Sequence, residues 1–208
     1  MTRLRGRWLP LTVLVAAVAM LIASIVWVAG SDVGRPGAGA MMGPVSRNGP
    51  VRSLADADRA AGRFADRWDL RVGEVMEFSN GYYAELHTPD GDGATEVLID
   101  PRSGTVHLEY GPAMMWNTAY GMMPARNRTG AATIEPGQAP RIADQWLREH
   151  RPGLHAAEPE PFPGYYTLHT LRGNDIVGML SVNARTGQVW YHTWHGRFIQ
   201  MQEHPDTA

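Results

Sequence analysis

Residues 9–29 are apolar and carry no charge. A helix rises about 1.5 Å per residue, so this run spans about 30 Å, the hydrocarbon thickness of a bilayer. It predicts a transmembrane signal-anchor helix, with Trp8 and Trp27 near its ends, where interfacial aromatics belong. In residues 30–52 the pattern lapses. Gly34, Pro36, Gly37, Gly39, Gly43, Pro44, Gly49 and Pro50 predict a linker. Hydrophobic positions then return at helical spacing: Leu54, Ala57, Ala61, Phe64, Ala65 and Trp68 share one face. Ser53 caps that helix, and Asp56 three residues on makes a capping-box variant. A second stripe consists of Ala139, Ile142, Ala143, Trp146 and Leu147; Pro136 opens it and Arg151-Pro152-Gly153 ends it. Each helix precedes short strands bounded by turn residues. They are predicted at 72–78, 82–88, 95–99 and 105–110, then weakly before Phe162 and at 165–171, 176–182 and 188–193.

The two halves are copies. Gly81-Tyr82-Tyr83 recurs as Gly164-Tyr165-Tyr166, and Asp100-Pro-Arg-Ser-Gly104 as Asn183-Ala-Arg-Thr-Gly187, both at an offset of 83. Glu77 and Glu160 keep that offset, as do Val106 and Val189. Tight turns between short strands imply antiparallel pairing. The expected fold class is therefore α+β: two tandem repeats, each a helix packed on a small antiparallel sheet, after one N-terminal transmembrane helix. The divisions are a basic cytoplasmic N-terminus (1–8), the anchor (9–29), the linker (30–52), repeat 1 (53–111), a Met-rich inter-repeat segment (112–134), repeat 2 (135–199) and a tail (200–208).

The Ala-rich helix stripe (Ala60-Ala61, Ile142-Ala143), the paired tyrosines and the closing hairpins at 97–106 and 180–189 resemble the PepSY domain family. Asn183 stands where that family usually has Asp. The resemblance implies a helix on an antiparallel sheet and no catalysis; no cofactor is expected. It also implies a role as a binding or regulatory module of the cell envelope, with a peptidase or another envelope protein as partner.

Charge fixes the expected orientation. Arg3, Arg5 and Arg7 precede the apolar run and Asp32 follows it, so the positive-inside rule places the N-terminus in the cytoplasm. The protein is expected in the plasma membrane as a single-pass chain, held through its N-terminal helix, with the domain extracytoplasmic. A cleaved signal peptide is the rival reading, but signal cores are usually shorter and Val28 and Gly30 make a poor cleavage site. Beyond the anchor, 16 Arg face 21 acids, a net of −5, which argues against nucleic acid as a partner. Cys and Lys are absent from the 208 residues, which removes disulfides, thiolate chemistry and Schiff bases.

No G-x-S-x-G, H-E-x-x-H or phosphate loop is present, so an enzyme is not expected. Two Met pairs, Met114-Met115 and Met122-Met123, flank Trp116 and Tyr120. Thioethers are soft ligands suited to Cu(I), so copper held by these pairs, with or without His192 and His195, is the alternative function. Methionine more often fills irregular gaps, and histidines beside aromatics more often pack. In a straight strand His192 and His195 face opposite sides; they meet only if the chain turns, for which Gly196 is the expected place. Tyr82, Tyr83, Tyr165 and Tyr166 alternate across their strands. One of each pair should point outward and form an interaction face, with Trp116 in the segment between. Residues 111–124 hold too much apolar bulk for a solvated linker and should form an ordered clasp.

Overall fold

The computed structural model describes residues 49–122 and 132–204. The anchor, the linker up to residue 48 and Met123 lie outside the described residues. Among the described residues no helix is long and apolar enough to cross a membrane.

Helix α1 (Leu54–Ala65) begins as expected. The Ser53 side chain accepts from the Asp56 amide, and Asp56 accepts from the Arg52 amide. Its buried face, Ala57, Ala60, Ala61, Phe64 and Ala65, lies on strands β1 (Arg71–Phe78), β2 (Gly81–His87), β3 (Gly93–Ile99) and β4 (Val106–Leu108). The short helix α2 (Pro112–Met115) leads out of this repeat. Helix α3 (Ala139–His150) follows a 3-10 turn in which Glu135 and Gln138 form a reciprocal capping box. It buries Ala139, Ala143 and Leu147 on strands β5 (His155–Phe162), β6 (Tyr165–Arg172), β7 (Asp175–Asn183) and β8 (Val189–Tyr191). The strand expected weakly before Phe162 is β5, eight residues long with a register shift between Ala156 and Pro159.

All pairing is antiparallel, in the orders β4-β3-β2-β1-β9 and β5-β6-β7-β8. Strand β9 (Phe198–Gln202) comes from the stretch read as the end of repeat 2 and a tail. It crosses over to pair with β1 of repeat 1. Beyond it, His204 bonds Asp58 on α1.

Register corrects the repeat alignment. Phe78 pairs with Gly81 and Phe162 with Tyr165, so the first hairpins correspond at an offset of 84. Ile99 pairs with Val106 and Val182 with Val189, so the last hairpins keep 83. The hairpin loops after β2 and β6 absorb the extra residue. A one-residue slip moves a side chain to the opposite face. Glu77 and Glu160 are therefore not equivalent: Glu77 pairs with Tyr82 on the helix face, whereas Glu160 pairs with Thr167 on the other.

Each sheet turns its other face toward its partner sheet, giving helix, sheet, sheet and helix in layers. Met76, Phe78 and Tyr83 of sheet 1 pack with Met179 of sheet 2. His169 Nε2 lies 3.1 Å from Glu74 Oε1 across the layer. A Cβ at Gly93 would collide with the Pro161 carbonyl, so glycine is what lets β3 approach β5.

Candidate functional site

The inner layer is unlike the two helix-covered cores, which are hydrophobic clusters. On it, Glu85, His87, Glu96, Glu109, Thr167, Thr170, Ser181 and His192 are all buried. Burying such groups is costly unless they are partnered; the acids and histidines among them centre on two clusters, and Thr170 Oγ1 and Glu96 Oε2 have no hydrogen-bond partner.

The first centres on Glu109, one residue beyond β4. Its backbone amide donates to the Glu96 carbonyl, which turns the side chain into the layer. His192 follows β8 directly. The chain then turns at Thr193 and Trp194, two residues earlier than the expected bend at Gly196. That turn is pinned by the β1–β2 connection. Asn80 donates to the Trp194 carbonyl and accepts from the Gly196 amide, and Ser79 accepts from the Arg197 amide. As a result both rings reach one carboxylate: Glu109 Oε1 is 3.2 Å from His192 Nδ1 and 2.7 Å from His195 Nε2. Trp194 Nε1 donates to the same oxygen at 3.1 Å. His192 Nε2 shares a 2.9 Å hydrogen bond with Ser181 Oγ, which in turn bonds Thr167 Oγ1. Phe78 stacks on His195, and Trp194 on His192. Burial alone would raise the Glu109 carboxyl, but the two imidazoles outweigh it and hold it low. Burial also holds His192 below its ordinary value. Burial and the neighbouring Glu109 push Glu96 well above the ordinary carboxyl range.

The second cluster joins Glu85 and His87 of β2 to Glu160 of β5. His87 Nε2 lies 3.4 Å from Glu85 Oε2, and His87 Nδ1 is 3.1 Å from the Gly91 carbonyl. Burial, with the Glu85 charge, raises Glu160 to about 7.

The tyrosines do not form the expected face. Tyr82 and Tyr166 sit in the helix-side cores, and Tyr83 and Tyr165 are fully buried between the sheets. The side chains that alternation turns outward from one repeat meet the other repeat instead. Of the four methionines singled out, three are described, and the Met122 amide donates to the Met114 carbonyl. Met114 packs on the repeat 1 core, while Met115 and Met122 are exposed.

Residues 111–122 form the clasp. Asn117, fully buried, donates to the Ala94 carbonyl of repeat 1, and the Thr118 amide donates to the Pro163 carbonyl of repeat 2. Trp116, half-buried, packs on Phe162 and Tyr165. It also begins a row of aromatic side chains that sequence reasoning missed. Trp116 meets Trp190 edge-on at 5.5 Å, Trp194 meets Tyr110 at 6.2 Å, and Tyr110 stacks on His107 at 5.1 Å. Gly111 (φ 69°) lies between the two halves of the row, where a Cβ would be 3.0 Å from Trp190 and 3.1 Å from Trp194. Tyr110 is 45% exposed, Trp190 36% and Met115 48%. Beside Tyr110 and Trp194 opens a groove of about 180 Å³ whose walls include Tyr82, Asp100, His107 and His195. The signal that could have found this row was Tyr110, Trp116, Trp190 and Trp194 standing at the two strand exits.

No protein-family model matches the sequence, and comparison with curated proteins gives no match. Among solved structures, the chain is similar to the Bacillus megaterium YpeB C-terminal domain at 16% identity, over 69% of this chain and 67% of that one, with a TM-score of 0.34.

Proposed function

We propose that this protein is a non-catalytic, membrane-tethered binding module of PepSY type. Its aromatic row would engage a protein partner outside the cytoplasm, another envelope protein or a peptidase. The observation that carries the reading is the row itself. Tyr110, Trp190 and Trp116 come from repeat 1, repeat 2 and the clasp, so the row exists only when all three are assembled. Aromatic residues and Met are enriched at the centres of protein interfaces and supply their hot spots. The adjoining groove, at about 180 Å³, is smaller than the usual small-molecule site of about 300–1,000 Å³. It suits one side chain or a short extended segment of a partner. Tethering is supported by the charge-free run at 9–29 with Arg3, Arg5 and Arg7 before it. The absence of catalysis is supported by the burial of the carboxylate and imidazole groups within the inner layer.

The test compares the full chain isolated from gently solubilised membranes with its Tyr110→Ser/Trp190→Ser variant. A companion protein in fixed ratio should accompany the parent and be lost from the variant, while the two melt at similar temperatures. Retention of the same companion by the variant, or its absence from the parent, contradicts the reading.

A further inference from the structure

We infer that Glu109, His192 and His195 form a binding site for a borderline divalent cation of the zinc type, and that the bound ion clamps repeat 1 to repeat 2. The three donor atoms lie within 4.8 Å of one another. Metal–ligand distances of about 2.0–2.1 Å place donors about 3.3 Å apart in a tetrahedral site, so the 3.2 Å and 2.7 Å separations need only slight opening.

Two orphaned atoms point to an ion. His192 Nδ1 is buried and, although close to Glu109, is not aligned to donate to it; Glu109 Oε2 is buried without a partner. With His192 Nε2 engaged by Ser181, Nδ1 is the ring nitrogen left without a hydrogen-bond partner, 3.2 Å from the Glu109 carboxylate. Buried polar atoms without partners are costly, and a cation held between this nitrogen and the carboxylate would partner both. The supporting shell has the form ligating histidines need: the Thr167–Ser181–His192 chain orients one ring, and stacking on Phe78 orients the other. An approach exists, because His195 lines the groove beside Tyr110 and Trp194.

The donor set, two nitrogens and one oxygen, selects Zn²⁺ and its borderline neighbours rather than Cu(I), which prefers the thioethers standing elsewhere. Glu109 belongs to repeat 1 and both histidines to repeat 2, so loading the site should lock the sheets together beneath the aromatic row. The inference does not depend on what that row binds.

The full chain in detergent, stripped of metal, is titrated with Co²⁺ and then Zn²⁺. One Co²⁺ per chain should produce visible ligand-field absorption, displaced by Zn²⁺, and Zn²⁺ should raise the melting temperature by several degrees. Zn²⁺ should also shift the ring nitrogens of His192 and His195 selectively in nitrogen NMR of the unsubstituted chain. Glu109→Gln and His195→Gln, each compared with its own metal-free melting curve, should weaken binding more than about 100-fold, since loss of a supporting partner alone costs 10–100-fold. Met114→Leu/Met115→Leu should bind as the parent does. Failure of the parent to take up one ion, shifts at other histidines, unchanged binding in both Gln variants, or loss in the Met variant would each overturn the inference.

Discussion

Phe64 and Leu147 are buried at equivalent places under their helices, with 1% and 0% of their surface exposed. Phe64→Ala and Leu147→Ala should each cost about 2–5 kcal/mol in chemical unfolding, because each deletion leaves a cavity in a packed core; a cost below about 1 kcal/mol would mean the site can collapse. Turn residues behave as their chemistry dictates. Asp100 Oδ1 accepts from the Arg102 and Ser103 amides, and Asn183 Oδ1 from the Arg185 and Thr186 amides; Gly104 and Gly187 close both turns at positive φ. An amide oxygen therefore replaces the carboxylate in the second copy without loss of geometry. Glu160 gives a pH prediction. Its folded pKa, about 7, lies above its ordinary 4.5, so the folded state binds the proton more tightly. That contribution is full below about 4.5 and is lost as pH rises through 7. His87, Glu85 and His169 are also raised and act in the same sense, while His192, lowered by burial, opposes them. Relative to the parent, Glu160→Gln should gain stability from pH 5 up to about pH 7 and level off above it. A constant difference in urea midpoint across that range would contradict the assignment.

At the scale of elements, local signals were legible and cross-layer ones were not. Both helices, their caps and both closing hairpins follow from 3.6-residue spacing, a capping Ser or Pro, and Gly after the turn. The tyrosine face was misread because strand alternation reveals two faces but not what covers the second. Here another sheet covers it. The same ignorance hid Glu109, a lone carboxylate 83 residues from the nearer histidine, which only the pairing of two strand exits brings into reach. Strand β9 was hidden because Phe198–Gln202 pairs across the molecule, onto β1. Removing residues 198–208 should therefore unprotect the β1 amides of repeat 1 more than the strands of repeat 2 in hydrogen exchange; loss confined to repeat 2 would contradict the crossover. The clasp should resist limited proteolysis between Gly111 and Met122 as long as the repeats stay folded, because Asn117 and Thr118 bond both of them.

Across the whole molecule, two sheets share a polar inner layer, one strand crosses between them, and a clasp bonds both, so the repeats should unfold as one cooperative unit. Orientation in the membrane is tested by a reporter that works only outside the cytoplasm: fused after Ala208 it should be active, and replacing Arg3, Arg5 and Arg7 should weaken the preference. The surface proposed to meet a partner is the assembled aromatic row. The most direct measurement places a photoactivatable amino acid at Tyr110 or Trp190 in the living host, with Asp90 and Arg148, exposed elsewhere on the domain, as controls. The account predicts one discrete crosslinked protein, the same from Tyr110 and Trp190 and absent from Asp90 and Arg148. No crosslink from the row, or an identical product from the control positions, would contradict it.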